Sequence, residues 1–351
     1  MLGSSHRVTI KDVAARSGVS TQTVSRVINN RPDVAPDTRE RVEQVIASLG
    51  YTPSAVARTL VARRSNSIGV LLAGMRYTGT AHTLQGIIDE AASLGLTVLI
   101  AELPEGDSLD DPRPAISALV EHHVDGIIMS VPAIGHAVDR IKAVLIDHRG
   151  PVVFVKAGLS ETHSSVLVDN LAAIEDVVDH LVSIGRSRIA HISGPTGWQE
   201  ARYRREGWER GLERHHLEAD PELCEEGDWS PSSGAAAMSA LLGRVPDLDA
   251  VVAGNDLMAL GAMHVLRSRG LSIPDDVAVT GFDDIDEAAW FAPPLTSVVQ
   301  PLTEMGREAV RRLWSEFEGR ADAPVAIPLQ AELIVRESTV GTGRPEDALA
   351  D

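Results

Sequence analysis

A single cysteine, Cys224, occurs in 351 residues, so no intrachain disulfide can brace the chain. No apolar run reaches about 18 residues, the length a membrane-crossing helix needs. No signal peptide is recognisable, and the expectation is a cytoplasmic protein without a membrane partner. A Walker A loop, a G-x-G-x-x-G turn after a strand, a G-x-S-x-G elbow and an H-E-x-x-H helix are all missing. The expectation is therefore neither an enzyme nor a cofactor protein. His122-His123 and His215-His216 read as helix-surface residues, not metal ligands. There is no long-period repeat and no low-complexity tract. Positive charge is also scarce, at a formal net of −18. Its distribution is uneven: residues 1–65 carry ten Lys/Arg and five Asp/Glu, a net of +5, which leaves −23 on the remainder. A positive head suits contact with phosphates. An acidic body aids solubility and disfavours non-specific contact with nucleic acid.

Residues 8–31 read VTIKDVAARSGVSTQTVSRVINNR, two short amphipathic helices around a turn at Ser17-Gly18-Val19. Thr9 with Asp12 three residues on forms a capping-box pattern, and Gly18 suits the end of the first helix. Ser20 is placed to cap the second helix. Val24, Val27 and Ile28 then fall on one face, and Gln22, Ser25, Arg26 and Asn29 on the other. Gln and Arg can make two-point contacts to base edges, and Thr21 and Thr23 sit in the first turn, where recognition helices approach the major groove. A third helix follows from Pro36, with Val42, Val45, Ile46 and Leu49 as its expected buried stripe and Gly50 as its end. The other reading of these segments is a small helical bundle with a polar face.

From Ser67 onward short apolar runs alternate with amphipathic segments. Strands are expected at Ile68–Ala73, Thr97–Ala101, Gly126–Ser130, Val152–Lys156, Arg188–Ser193, Ala250–Ala253 and Val277–Thr280. Helices are expected at about Gly79–Leu94, Arg113–His123, His136–Asp147, after Asp169-Asn170 through Ile184, and at about Trp198–Glu213, Asp256–Arg269 and Leu302–Glu318. This alternation implies parallel sheets in two lobes with a cleft at the strands' carboxyl ends. Asn255 and Asp283 each follow a buried strand, where the chain turns toward that cleft. A carboxylate and an amide can bind sugar hydroxyls at two points. Trp229, in GDWS, offers a flat face to a pyranose, with core filling as the alternative.

Several stretches carry a resemblance. They are Val24-Ser25-Arg26-Val27-Ile28-Asn29, Leu49-Gly50-Tyr51-Thr52-Pro53 and Ala55-Val56-Ala57-Arg58-Thr59-Leu60. Further along come Gly194-Pro195, Asn255-Asp256-Leu257-Met258-Ala259-Leu260-Gly261, Gly281-Phe282-Asp283-Asp284 and Pro293-Pro294-Leu295-Thr296. In this order, from about Val8 to about Arg336, the chain resembles the LacI family of bacterial transcription regulators. The resemblance implies an all-α helix-turn-helix domain at 1–53 and a hinge helix and linker at 54–66. It implies an α/β, periplasmic-binding-protein-like core of two Rossmann-like lobes at 67–336. Lobe one would take about 67–167 and 302–328, and lobe two 168–301 and 329–336. Residues 337–351 read as a disordered tail. In the family the hinge folds on the operator, and Leu60 matches the leucine wedged into the minor groove, with Ala57 on the same helix. The DNA-contacting set is thus Thr9, Ser20, Thr21, Gln22, Thr23, Ser25, Arg26, Asn29, Ala57 and Leu60.

By position Arg204 matches the family's effector-binding arginine, and Gln300 another contact. Tyr77 and Ser130 are expected on the first-lobe side. Glu200 joins the set of effector contacts with Trp229, Asn255 and Asp283, although small polar residues are common at its position. Lys156 replaces an Asp common in the family, with Asp169 or Glu102 as its expected partner. The leucine heptads of tetrameric members are missing after Arg336, so a homodimer is expected. The resemblance implies a regulator released from palindromic operator DNA by a sugar, with a galactoside or related saccharide as first guess. A purine corepressor and a phosphorylated carrier protein remain alternative controls.

Overall fold

The computed structural model describes residues 8–28, 31–51, 64–103, 111–134, 136–145, 148, 150–156, 162–321 and 323–341. Asn29, Ala57, Leu60 and the hinge segment 54–62 lie outside the described residues. The chain divides into two units, 1–66 and 67–351.

In the first unit, α1 (Ile10–Ser17), α2 (Thr21–Ile28) and α3 (Pro36–Leu49) enclose Val13, Ala14, Val24, Val27 and Val42. Asp12 Oδ2 accepts from the Thr9 amide at 2.8 Å and from Thr9 Oγ1 at 2.7 Å, which fixes the start of α1. Gly18 ends α1 at φ 68°, in the left-handed region that favours glycine. Ser20 Oγ accepts the Thr23 amide at 3.1 Å and caps α2. The third-helix expectation needs correction, because only Val42 of its stripe is buried. Val45, Ile46 and Leu49 are half-buried, since two eight-residue helices are too short to cover the whole of α3. Arg41 Nε also joins α3 to the end of α1, donating to the Ser17 carbonyl at 3.1 Å.

The second unit holds two six-stranded sheets. Its strands are β1 (Ser67–Ala73), β2 (Thr97–Leu103), β3 (Ile127–Ser130), β4 (Val152–Val155), β5 (Ser164–Val168) and β6 (Ile189–Ser193). They continue with β7 (Cys224–Glu226), β8 (Ala250–Ala253), β9 (Ala278–Asp283), β10 (Thr296–Val299), β11 (Ala326–Leu329) and β12 (Glu332–Ile334). The first sheet runs β11-β5-β4-β3-β1-β2 and the second β12-β10-β9-β8-β6-β7. Their pairings are parallel except for β10 with β12. All seven residues of β1 are buried, as a strand covered on both faces requires. Helices α4 (Thr78–Ser93), α5 (Arg113–Glu121) and α6 (Ala137–Leu145) serve the first sheet, with α11 (Leu302–Phe317) returning to it. The second sheet carries α7 (Asn170–Ser183), α8 (Gln199–Arg214), α9 (Pro231–Arg244) and α10 (Asp256–Ser268). The chain passes from one sheet to the other after β5, β10 and β11.

A helix α12 (Glu337–Val340) lies where a disordered tail was expected to begin. Ser338 Oγ donates to the Val279 carbonyl at 2.6 Å and accepts the Thr296 amide at 2.8 Å, so its hydroxyl completes the ladder between β9 and β10. Polar composition is therefore no sign of disorder here, because these hydroxyls are buried partners of a sheet. Residues 342–351 lie outside the described set.

Two tight features hold this frame. The helices α4 and α11 cross at Gly86 and Gly306, where a Cβ would come within 1.9 Å of the Thr303 carbonyl and 2.1 Å of the Thr83 carbonyl. The second is Asp256, the first residue of α10 and fully buried. It accepts Ser297 Oγ at 2.5 Å and the Ile285 amide at 2.8 Å, fastening the segment after β9 to β10. Burial, and then the nearby Asp283 carboxylate, push its pKa up from 3.8 to about 7.

Gly86→Ala should lower stability by about 1–3 kcal/mol, since the obstructing atom is backbone. An unchanged denaturation midpoint would show that the crossing can spread. For Asp256 the folded protein binds more protons than the unfolded chain between pH 3.8 and about 7, so stability falls as pH rises across that window. Asp256→Asn removes this slope. The melting temperature of the variant relative to wild type should rise between about pH 5 and about pH 8. A pH-independent difference would mean that Asp256 titrates as an ordinary carboxylate.

Candidate functional site

The first unit presents one polar face on α2. Thr21, Gln22 and Arg26 are exposed along it, with Thr23 and Ser25 half-buried beside them. Arg26 lies 3.5 Å from Asp33, an exposed pair of little energetic weight. Ser20 and Thr23 share a hydroxyl contact of 2.9 Å at the cap, and Thr9 is bonded to Asp12. Those three side chains thus have local structural duties. Thr21, Gln22 and Arg26 carry the groups open to an outside partner.

In the second unit, seven of the eight effector candidates line one cleft of about 380 Å³ where the carboxyl ends of the two sheets meet. These are Tyr77, Glu200, Arg204, Trp229, Asn255, Asp283 and Gln300. Ser130 is the exception. It lies level with Leu72 inside the first sheet and is buried there. The first-lobe wall is built instead by Arg76–Gly79 after β1, by Leu167 and Val168 at the end of β5, and by Lys156 after β4.

Arg204 forms the floor. It comes from the middle of α8 and is buried, with its guanidinium carbon 3.7 Å from the Phe282 ring centroid. Its Nε donates to Asn170 Oδ1 at 2.7 Å and its Nη1 to the Gly254 carbonyl at 2.5 Å. Burial works against its charge, and Asp283, Glu200 and Asp256 counter that effect. Asn255 has two structural duties at the cleft edge. Its Oδ1 accepts the Met258 amide at 2.9 Å, capping α10, and its Nδ2 donates to the Trp229 carbonyl at 3.1 Å.

Asp283 and Asp284 stand at φ 113° and 49° and turn their carboxylates apart. Asp284 pairs with Arg336 at 2.6 Å. Asp283 faces the cleft and accepts Gln300 Nε2 at 2.7 Å, while burial raises its pKa against the opposing charge of Arg204. Lys156 (φ 68°) and Trp229 (φ 72°) also adopt left-handed backbone. Three non-glycine residues in this costly region around one cleft mark a site that constrains its own geometry.

Lys156 also departs from its expected pairing. Asp169 Oδ1 is engaged in capping α7 through the Ala172 amide at 3.0 Å, and Glu102 lies on the exposed edge strand β2. Lys156 instead turns into the cleft. Burial lowers its pKa, and the carboxylates opposing that shift are Glu200 and Asp283. The first-lobe wall thus carries Arg76 and Lys156, whereas the second carries Glu200, Asp228 and Asp283 around Arg204.

Sequence reasoning passed over Asn170, Tyr203 and Trp198 as site residues. Asn170 opens α7 where the chain crosses between sheets, and a strand followed by Asp-Asn was its only signal. Trp198 precedes α8 and touches both lobes, in edge contact with Tyr77 at 5.3 Å and Trp229 at 5.8 Å. Its signal was an aromatic residue just before a helix at a strand's carboxyl end.

The chain as a whole resembles known proteins. Residues 9–54 match the family model described as bacterial regulatory proteins, lacI family, and residues 178–339 match a periplasmic binding protein-like domain. The chain is 37% identical over 342 residues to the HTH-type transcriptional regulator CelR of Thermobifida fusca, covering 95% of this chain and 98% of that protein. It is 32% identical to the lactose operon repressor of Escherichia coli K12, covering 98% and 95% of the two chains. Among solved structures, a lac repressor dimer bound to operator and the anti-inducer ONPF aligns with a TM-score of 0.86 at 31% identity, over 95% of this chain and 99% of that one. A CelR–cellobiose complex aligns with a TM-score of 0.71 at 34% identity, over 95% and 100%. With a helix-turn-helix head, two parallel-sheet lobes and near full-length similarity to these regulators, the chain belongs to the LacI family of bacterial transcriptional regulators.

Proposed function

We propose that this protein is a homodimeric repressor that reads operator DNA through α2 and leaves it when a neutral saccharide enters the cleft. The observation that carries the ligand class is the charge balance of the cleft walls. Three cationic side chains (Arg76, Lys156, Arg204) meet three carboxylates (Glu200, Asp228, Asp283). A phosphorylated ligand would face the carboxylates of the second lobe without a net positive charge to offset them. Hydroxyl groups both donate and accept, and suit a cleft with carboxylates on one wall and ammonium and guanidinium groups on the other. The relatives point the same way: one neighbouring structure is of CelR with cellobiose, and another relative is the lactose operon repressor. The HTH-type transcriptional repressor PurR of Serratia proteamaculans is also 31% identical over 333 residues, and a purine is the competing ligand class. Here, however, both ends of the Asn255 amide are already bonded within the protein, and Gln300 Nε2 is given to Asp283.

Release follows if the ligand binds the operator-incompetent state more tightly than the operator-bound one. Gln22→Ala and Arg26→Ala should each weaken binding to an operator selected by the wild-type protein by about 1–3 kcal/mol and relax base preference. Fluorescence anisotropy against single-base operator variants measures both effects. Undiminished discrimination in both variants would remove α2 as the reading face. Arg204→Ala and Asp283→Ala should still hold the operator but fail to release it on adding the sugar found by a thermal-shift screen. A screen in which purines alone stabilise the protein would replace the saccharide reading with the corepressor one.

A further inference from the structure

The saccharide reading leaves part of the cleft unexplained. Arg204, Asp283 and Gln300 form one polar group on the floor, linked by the Gln300–Asp283 bond of 2.7 Å. A second group stands around the start of α8. Trp198 is its N-cap residue and Glu200 lies in its first turn, both on the cleft wall.

Three observations set this second group apart. First, the Trp198 and Trp229 rings meet at 72° with centroids 5.8 Å apart. A pyranose covers a single flat aromatic face, so one ring cannot stack on both of these nearly perpendicular indoles. Trp229 is only 8% exposed, whereas Trp198 is half-buried and offers more of its surface. Second, Glu200 Oε2 and Trp229 Nε1 are buried without a hydrogen-bond partner among the described residues. Buried polar atoms are nearly always paired, and a carboxylate oxygen left alone is costly. One is an acceptor and the other a donor, as sugar hydroxyls require.

Third, Lys156 approaches from the opposite lobe against several unfavourable terms. It adopts left-handed backbone and is half-buried, and that burial lowers its pKa. Its Nζ lies 3.1 Å from where a Cβ on Gly79 would stand, in the first turn of α4, where the helix dipole disfavours a cation. Glu200 is the foremost of the carboxylates acting on it.

We infer that Trp198, Glu200 and Lys156 form a second sugar subsite beside the Arg204–Asp283 one, so that the effector is a neutral saccharide of at least two rings. Trp198 stacks on the outer ring. A hydroxyl of that ring donates to Glu200 and accepts from Lys156, so one group engages both lobes. Trp198 is already at the junction, since the adjacent Gln199 amide donates to the Ala133 carbonyl of the first lobe at 3.1 Å. The outer ring thereby acts where the lobes meet.

This inference rests on the saccharide reading, and isothermal titration of the full-length protein separates the two. The probes are glucose, galactose, cellobiose, lactose and maltose. Wild type should bind one disaccharide at least about tenfold more tightly than its component monosaccharide, one decade of affinity. Trp198→Ala, Glu200→Gln and Lys156→Met should each reduce that preference to about threefold or less. Asp283→Ala should instead weaken monosaccharide and disaccharide alike. Glu200→Gln preserves size, so its loss of preference reports the carboxylate and not helix packing. Equal wild-type affinity for one ring and two would overturn the second subsite while keeping the saccharide reading. Retention of the preference in all three variants would do the same. No binding of any of these sugars by folded wild type would count against the saccharide reading itself, and the subsite would fall with it.

Discussion

The cleft depends on one buried cation. Arg204 stacks on Phe282 in β9, donates to Asn170 at the crossing into α7, and donates to Gly254 after β8. Those contacts join three separate strand ends to the helix that carries Arg204. A guanidinium serves here because its planar fork can stack and donate in several directions at once. An ammonium could not reproduce that geometry. Asp283 lies one residue beyond Phe282, so the same stacking fixes the carboxylate at the edge of the cleft. Removing the cation would leave the Asn170 and Gly254 acceptors unpaired and Asp283 buried with less opposing charge.

Two of the Arg204 donors are committed to the frame, so ligand recognition is shared between its remaining donors and the groups around it. The second lobe offers carboxylates and the first offers cations, so the two walls attract one another across the cleft. A ligand entering this gap replaces attraction between the walls with bonds to itself. Its effect on the lobes therefore turns on bonds made to both walls together, because contact with one wall alone carries no information about their separation. Lys156 and Glu200 meet that requirement from opposite sides. The strained backbone at Lys156, Trp229 and Asp283 is consistent with positions held for contact with a ligand at some cost to folding.

How much of this was legible in the sequence varied with the range of the interactions. The caps of α1 and α2 are local, and Thr9, Asp12, Gly18 and Ser20 announce them within a few residues. The central strands β1 and β8 are buried on both faces and read as unbroken apolar runs. By contrast β5, β7, β10, β11, β12 and α9 escaped notice. β5 begins Ser-Ser, β7 is Cys-Glu-Glu, and α9 is built from Ser, Gly and Ala with little contrast between its faces. Each owes its structure to neighbours far along the chain. In α9 the small residues are the signal, because a Cβ on Gly234 would lie 2.2 Å from the Met258 carbonyl of α10. The site divided similarly. Asn255 and Asp283 were visible because strand ends point to clefts. Ser130 obeys the same rule and is nonetheless enclosed, since the chain after β1 forms the wall in its place.

Charge explains the most consequential misreading. In sequence, Lys156 invites pairing with the nearest plausible acid, Asp169 or Glu102. The fold assigns Asp169 to the cap of α7 and leaves Glu102 on an edge strand. The carboxylates that act on Lys156 are Glu200 and Asp283, across the cleft on the other lobe. Their nearness to Lys156 is created by the fold, and spacing along the chain does not encode it. Glu200 is the foremost of those acids, so the charge at Lys156 is answered from the facing wall of the cleft and not from its own stretch of chain.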